Sequence, residues 1–220
     1  ITAGDAYDVI FTTGDDEGAL AAPAAANVKF NGPATLSVYP GYQDPNTNTT
    51  YVATPATLQQ ALEEVIAGTS DDNIVLSGDI DLASLMTRSA PVSNWTPVGT
   101  SEKPFTGVFD GNGHTIKNLT LVEAEAKEGK AYIGFFGYAK DATIKNVTFE
   151  NVYINIPCLD IDHSQGHIGA VVGSLEGTST IENVTVKGDI KVEATFDANG
   201  ASRVAVVAGG NTYGDVTMKN

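Results

Sequence analysis

The sequence predicts an all-β fold, a parallel β-helix in which short strands stack as repeated coils. Four similar segments recur along the chain, each with the order Thr, apolar, polar, Asn. They lie at residues 115–118, 143–146, 180–183 and 217–220, so their asparagines are 28, 37 and 37 residues apart. A glycine that follows bulky apolar residues precedes each segment, at Gly111, Gly137, Gly173 and Gly209. A period in this range, with two strands in each unit, indicates stacked coils, and we expect about four or five of them.

The repeat also predicts which side chains face the core. Stacked coils lie about 4.8 Å apart, so equivalent residues form ladders along the axis. One inward ladder is expected to contain Ile116, Ile144, Ile181 and Met218, and the apolar residues of 119–121, 147–149 and 184–186 alternate inward on the next strand. Asparagine suits the corner between these strands because it tolerates left-handed backbone geometry.

The chain divides into two predicted parts. Residues 1–55 form a β-rich N-terminal segment that ends in a linker over 40–50, where Pro, Gly, Asn and Thr are frequent. Residues 56–220 form the β-helix, and a helix over 57–66, with Thr57 as its N-cap and Gly68 at its end, is expected to cap the first coil. The last repeat is cut short at Asn220, so the final coil would present an open strand edge that favours end-to-end self-association.

Composition narrows the range of partners. The chain has 27 acidic and 12 basic residues, a net charge of −15, which disfavours nucleic acid and anionic membranes as partners. No apolar run reaches the length of about 20 residues that a membrane span needs, so no membrane insertion is expected. Cys158 is the one cysteine, which excludes an intramolecular disulfide and a thiolate zinc cluster.

Two segments carry a family resemblance. Residues 168–173, read as Ile-Gly-Ala-Val-Val-Gly, followed by the strand 180–184, resemble the GLUG repeat of bacterial surface proteins. Residues 95–99 and 104–116 are similar to the segment that precedes such repeats in pectin-lyase-like, right-handed β-helices of adhesin type and of IgA-peptidase-type proteins. The resemblance covers about residues 56–220 and implies an exported protein of the bacterial cell surface or extracellular space. Ala205 departs from it where a repeat glycine is expected, and 134–137 is one residue short.

The pattern contains no predicted catalytic set and no cofactor site. A lyase acting on uronates needs cations for its acidic sugar, and an inverting hydrolase needs opposed carboxylates about 6.5–9.5 Å apart. The outward positions of the repeat instead carry Lys117, Lys145, Glu182 and Lys219, a mixed set that is typical of solvated surface. We therefore expect no enzymatic activity, although a polysaccharide hydrolase or lyase with acids dispersed over several coils remains the alternative.

Two further groups of residues have a functional and a structural interpretation. The loop 158–167 holds Asp160, Asp162, His163 and His167, which are potential ligands of a divalent metal, but a polar surface loop explains them better because nothing fixes their geometry. Trp95 and Phe105 could stack on sugars, but packing of the first coil is the favoured interpretation. The sequence therefore identifies no metal ligands and no ligand-binding residues.

These observations predict a non-catalytic, secreted or cell-surface binding module that recognises a glycan or a host protein. Loops at 122–131, 155–167 and 194–202 are expected to hold its specificity. A structural stalk or spacer is a further alternative.

Overall fold

The computed structural model describes residues 41–44, 47–70, 73–85, 93–122, 130–159, 165–196, 201–211 and 215–219. The chain divides into two compact units, residues 1–38 and residues 39–220. The predicted β-rich N-terminal segment covers residues 1–55, and its residues 1–40 lie outside the described residues, so its structure there stays a prediction.

Parallel stacking of short strands builds the second unit, which confirms the predicted all-β, parallel β-helix. Three sheets run along it. The long sheet has ten strands: β1 (Gly41–Asp44), β2 (Thr49–Val52), β3 (Asn73–Leu76), β4 (Ile80–Asp81), β5 (Val108–Asp110), β6 (Thr115–Lys117), β7 (Thr120–Leu121), β10 (Thr143–Leu159), β13 (Thr180–Phe196) and β16 (Thr217–Lys219). Two three-stranded sheets complete the coils: β8 (Lys130–Ile133), β11 (Gln165–Gly169) and β14 (Ala201–Ala205) in one, and β9 (Phe136–Lys140), β12 (Val172–Glu176) and β15 (Ala208–Asn211) in the other.

Within the described residues, three coils contain all three sheets, whereas the sequence predicted about four or five coils. They run β8–β9–β10, β11–β12–β13 and β14–β15–β16. Before them, β3 to β7 supply earlier layers of the long sheet, and the isolated parallel bridges Val98↔Phe136 and Phe105↔Ala139 stand in for a strand beside β9. The first turns are therefore less regular than the repeat.

The segment 40–50, predicted as a linker, contains strand in the structure. β1 pairs antiparallel with β2, and β2 pairs in parallel with β3, so the long sheet begins within this segment. Thr49 is buried, and Thr50 lies opposite Ile74 in the register. Its turn-forming residues connect two strands, which short polar segments do as readily as they link domains.

The described part of the chain contains one α-helix, α1 (Pro55–Ala67), which packs against the first layers and begins earlier than predicted. Thr54, rather than Thr57, is its N-cap: the Thr54 hydroxyl accepts from the Thr57 N–H, and the Thr57 hydroxyl accepts from the Thr54 N–H. Gly68 ends the helix with φ of 70°, as predicted. Its buried face comprises Leu58, Ala61, Leu62 and Val65. The error at the start arose because Pro55 fits the first helical position, where no N–H is needed.

The predicted ladder is in register at three of its four positions. Ile144, Ile181 and Met218 occupy equivalent positions in successive coils, but only Ile144 and Ile181 are buried, whereas Met218 is 58% exposed. Ile116 does not join them: it pairs with Phe149, and Phe109 lies in register with Ile144. The segment 115–118 is therefore displaced by one strand from the alignment that the sequence suggested.

The glycine column is also correct in three of its four positions. Gly137, Gly173 and Gly209 stack in register in the sheet of β9, β12 and β15. Gly111 instead lies at a corner of the long sheet, where an added Cβ would come 2.4 Å from Val147 Cβ. At Gly173 the added Cβ would come 2.6 Å from the Ile133 nitrogen, because β8 and β9 pass very close to it. These glycines permit close backbone approach.

The corners of the long sheet hold asparagines in the left-handed region, as predicted. The φ angles lie between 48° and 61° at Asn48, Asn112, Asn118, Asn146, Asn151 and Asn183. The Asn183 Nδ2 donates to the Asn146 Oδ1 at 3.1 Å, so the corner amides of successive coils are hydrogen-bonded to each other. Asn118 belongs to a second corner, beneath Asn151, and the predicted corner at Asn220 lies outside the described residues.

Candidate functional site

An open groove follows the second corner of the long sheet, and we call it the corner groove. Its volume is about 350 Å³. Its lining comes from three successive layers and comprises Asn118, Thr120, Asn151, Val152, Tyr153, Asp189, Ile190 and Lys191. Thr120 pairs with Tyr153, and Tyr153 pairs with Lys191, so the groove runs along the axis of the β-helix rather than along one strand.

Amide groups form one wall of the corner groove. The Asn151 Oδ1 accepts the Asp189 backbone N–H at 3.1 Å, and the Asn151 Nδ2 points to the Asn118 Oδ1 at 3.5 Å. The Asn118 Nδ2 donates to the Asp81 carboxylate at 2.8 Å. Left-handed backbone at Asn118 and Asn151 turns the chain at this corner, which sets their amides in a column parallel to the axis.

Tyr153 contributes the aromatic side chain of the groove. It points outward because it lies between the buried residues Val152 and Ile154 on a β-strand, where side chains alternate. Its hydroxyl accepts from the Asn155 Nδ2 at 3.1 Å, and the Lys191 ammonium lies 5.6 Å from its ring centroid. The ring is therefore half-buried and held from two sides.

Lys191 is the positively charged residue of the lining, and its charge is compensated locally. Its Nζ lies 3.0 Å from a carboxylate oxygen of Glu193, and this hydrogen bond raises the pKa of Lys191. Asp189 adds a negative charge to the lining. The corner groove therefore offers amide, hydroxyl and carboxylate hydrogen-bonding groups beside an aromatic ring, without a net positive charge. Such a set can bind a polar ligand that also presents an apolar face.

Trp95 and Phe105 are core residues, as the favoured interpretation expected. Trp95 is 4% exposed, its ring stacks on Phe135 with 4.6 Å between centroids, and its Nε1 donates to the Phe135 carbonyl at 2.9 Å. Phe105 is fully buried and packs against Phe136. Neither ring is available to stack on a sugar.

The structure describes only part of the loop 158–167, whose side chains are potential metal ligands. Asp160, Asp162 and His163 lie outside the described residues. His167 is buried in β11, where its Nδ1 lies 3.1 Å from the Ser174 Oγ and its Nε2 lies 2.8 Å from an Arg203 nitrogen. Within the part of the chain that the structure describes, no group of three or more His, Cys, Asp or Glu side chains could hold a metal ion.

Outward acids on the coils face lysines one coil away. The pairs Asp110–Lys145, Glu150–Lys187 and Glu176–Lys140 have N–O distances of 3.2, 3.4 and 3.0 Å. Lys145, Glu182 and Lys219 share one column, as predicted, but Lys117 belongs to the column of Glu150. These columns pair opposite charges at the coil spacing, unlike the opposed carboxylates of a glycosidase.

Hydrogen bonds hold two of these acids in the ionised form. For Asp110, burial would raise the pKa, but bonds from the Asn146 amide, the Asn112 N–H and the Lys145 ammonium lower it below the ordinary value. For Glu176, bonds from the Tyr138 hydroxyl and Lys140 lower the pKa. These acids are stabilised as partners of cations and are therefore poor proton donors at neutral pH.

Of the residues that line the corner groove, the sequence singled out only Asn118, as a repeat asparagine. Tyr153 has a local signal, an outward position between inward Val152 and Ile154, but the strand prediction stopped at residue 149. The sequence alignment placed Asn118 in the column of Asn146, so the corner that Asn118 shares with Asn151 was not predicted. The loops expected to hold specificity are described only in part, because residues 123–129, 160–164 and 197–200 lie outside the described residues.

Comparison of the sequence with known protein families supports a GLUG-type repeat in this chain. The family model described as "The GLUG motif" matches residues 164–191, which correspond to β11, β12 and the first part of β13, or one coil. A curated relative, Halomucin of Haloquadratum walsbyi, is 32% identical over 119 residues, which cover 54% of this chain. The matched region spans 1% of the length of Halomucin. No solved structure matches the chain significantly.

These findings define the class of protein. The structure is a parallel β-helix, and the motif match coincides with one of its coils, so the chain is a parallel β-helix protein that contains a GLUG motif. The GLUG resemblance seen in residues 168–173 and 180–184 is confirmed by this match. Among the described residues, no helix has the length and apolar character that crossing a membrane requires.

Proposed function

We propose that this chain is a non-catalytic, extracellular or cell-surface module that binds glycans, built on a right-handed β-helix of the pectin-lyase-like, adhesin type. The corner groove is the observation that carries this proposal. It combines a half-buried tyrosine with amide and carboxylate groups, the combination that sugars engage through their apolar ring faces and their hydroxyls.

Two further observations support the proposal. The name Halomucin describes its bearer as a mucin, a class of secreted or surface proteins, and the similarity extends over 119 residues of this chain. Outward carboxylates such as Asp110 and Glu176 are paired with lysines, which favours a binding role over hydrolysis.

Native affinity electrophoresis tests this function. The protein would migrate through gels cast with neutral polysaccharides, acidic polysaccharides or mucin, beside a gel without polymer and beside an unrelated acidic protein. The net charge of −15 provides mobility, so retardation would be easy to detect. We expect retardation on at least one polymer, with the polymer stain intact.

The other outcomes would each contradict the proposal. A cleared track in the polymer stain would indicate a polysaccharide-degrading enzyme. Unchanged mobility in every gel would indicate a protein-binding module or a structural spacer.

A further inference from the structure

The corner groove repeats its chemistry along the axis of the β-helix. Its first layer provides Asn118 and Thr120, its second Asn151 and Tyr153, and its third Asp189 and Lys191. In each layer a corner residue precedes the outward strand residue by two positions, and the strand residues pair in register. Because neighbouring coils lie about 4.8 Å apart, the first and third layers are about 10 Å apart. This spacing suits a ligand that itself repeats.

The width and polarity of the groove suit a chain of sugar rings. A volume of about 350 Å³ lies at the small end of ligand sites and leaves room for a few rings in an open cleft. The amides of Asn118 and Asn151 are bonded to each other, to Asp81 and to Asp189. Beyond these bonds, each of the two amides keeps a second N–H and a second oxygen lone pair, which suits sugar hydroxyls that both donate and accept. The Tyr153 ring lies in the middle layer, so one sugar ring can stack there while its neighbours reach the layers on either side.

Charge selects among sugar chains. Lys191 is the cation in the lining, and Glu193 already neutralises it at 3.0 Å, while Asp189 leaves the groove with a negative charge. The whole chain carries a net charge of −15. A uronate or sulfated polymer would be repelled from this surface, whereas a neutral one would not.

We propose that the corner groove binds an uncharged polysaccharide whose chain lies parallel to the axis of the β-helix, with one sugar ring stacked on Tyr153 and its neighbours bound at the layers of Asn118 and Asp189. This inference rests on the proposed glycan-binding function, and it adds the class of polymer, its direction and the position of its central ring.

Isothermal titration calorimetry with defined oligosaccharides tests the inference. The ligands are cello-, xylo-, manno- and laminari-oligosaccharides of one to six units, with oligogalacturonides as the acidic counterpart. We expect affinity for one neutral series to rise up to about three units and then level off, because the groove has three layers, and we expect no binding of the acidic series.

Variants of Tyr153 locate the binding. Tyr153→Ala should weaken binding by about tenfold or more, which corresponds to about 1.4 kcal/mol. Tyr153→Phe should stay within about threefold of wild type because it keeps the stacking ring. Tyr51→Ala is the matched control: Tyr51 is a half-buried tyrosine of β2 in the same sheet, outside the groove, and its loss should leave affinity unchanged. Circular dichroism would verify that all three variants fold.

Failure of the inference and failure of the proposed function give different results. If no oligosaccharide and no polymer binds, glycan binding itself is wrong. If a neutral oligosaccharide binds equally to wild type and Tyr153→Ala, glycan binding stands and the groove assignment is overturned. Binding of the acidic series, or a single sugar binding as tightly as a trimer, would overturn the polymer class or the axial direction.

Discussion

Replacing Gly173 with alanine should destabilise the protein severely, because three backbone atoms surround the place where the new methyl group would lie. The added Cβ would come 2.6 Å from the Ile133 nitrogen, 2.7 Å from the Gly137 oxygen and 2.9 Å from the His167 oxygen. These atoms belong to strands on two sheets and two coils, so none can move without displacing a strand. Overpacking of a core typically costs about 1–3 kcal/mol, and a clash with backbone on every side belongs at the upper end.

Chemical denaturation measures this cost. We expect Gly173→Ala to lower the free energy of unfolding by about 3 kcal/mol, equivalent to about 6–12 °C in the melting temperature of a chain of this size. Gly78→Ala is the control: an added Cβ at Gly78 meets nothing within 4 Å. It should remain within about 1 kcal/mol of wild type, on the stabilising side. Equal unfolding midpoints for the two variants would refute the close-packing explanation of the repeat glycines.

Two other substitutions test the coil-to-coil contacts. Asp110→Asn should cost about 1–2 kcal/mol at pH 7, because the carboxylate accepts bonds from Asn146 and Lys145. Since its pKa is lowered in the folded state, this stability is fully present above the unfolded pKa of about 3.9 and is lost as the pH falls below it. The difference from wild type should therefore shrink on acidification in denaturation curves, and a constant difference would contradict a role for the charge. Trp95→Phe should cost about 1–3 kcal/mol by thermal unfolding, because it removes a stacked ring and the bond to the Phe135 carbonyl, and an unchanged melting temperature would argue against this packing.

The sequence was sufficient to predict the parts of the fold that repeat locally. Thr143, Ile144 and Lys145 recur 37 residues later as Thr180, Ile181 and Glu182, and the structure pairs them residue by residue. A ladder of this kind needs only coils of equal length and similar residues at equivalent positions, and both can be recognised in the sequence.

The candidate site was less predictable because its residues come from three layers that share no local motif. Asn118, Asn151 and Asp189 are brought together only by the register of the long sheet. The segments 115–118 and 143–146 are identical at all four positions, so sequence identity alone assigned Asn118 to the corner of Asn146.

The register of that first segment is decided by coil geometry rather than by sequence similarity. Asparagine in the left-handed region can turn the chain at either corner of the long sheet, and both Asn146 and Asn151 do so with φ angles of 53° and 58°. Because β5 already pairs with the start of β10, the next strand, β6, must pair further along β10. There Ile116 lies opposite Phe149. Asn118 then stands beneath Asn151 and extends the amide column of the corner groove. The displacement of the segment 115–118, which the sequence alignment did not predict, therefore supplies the first layer of the corner groove.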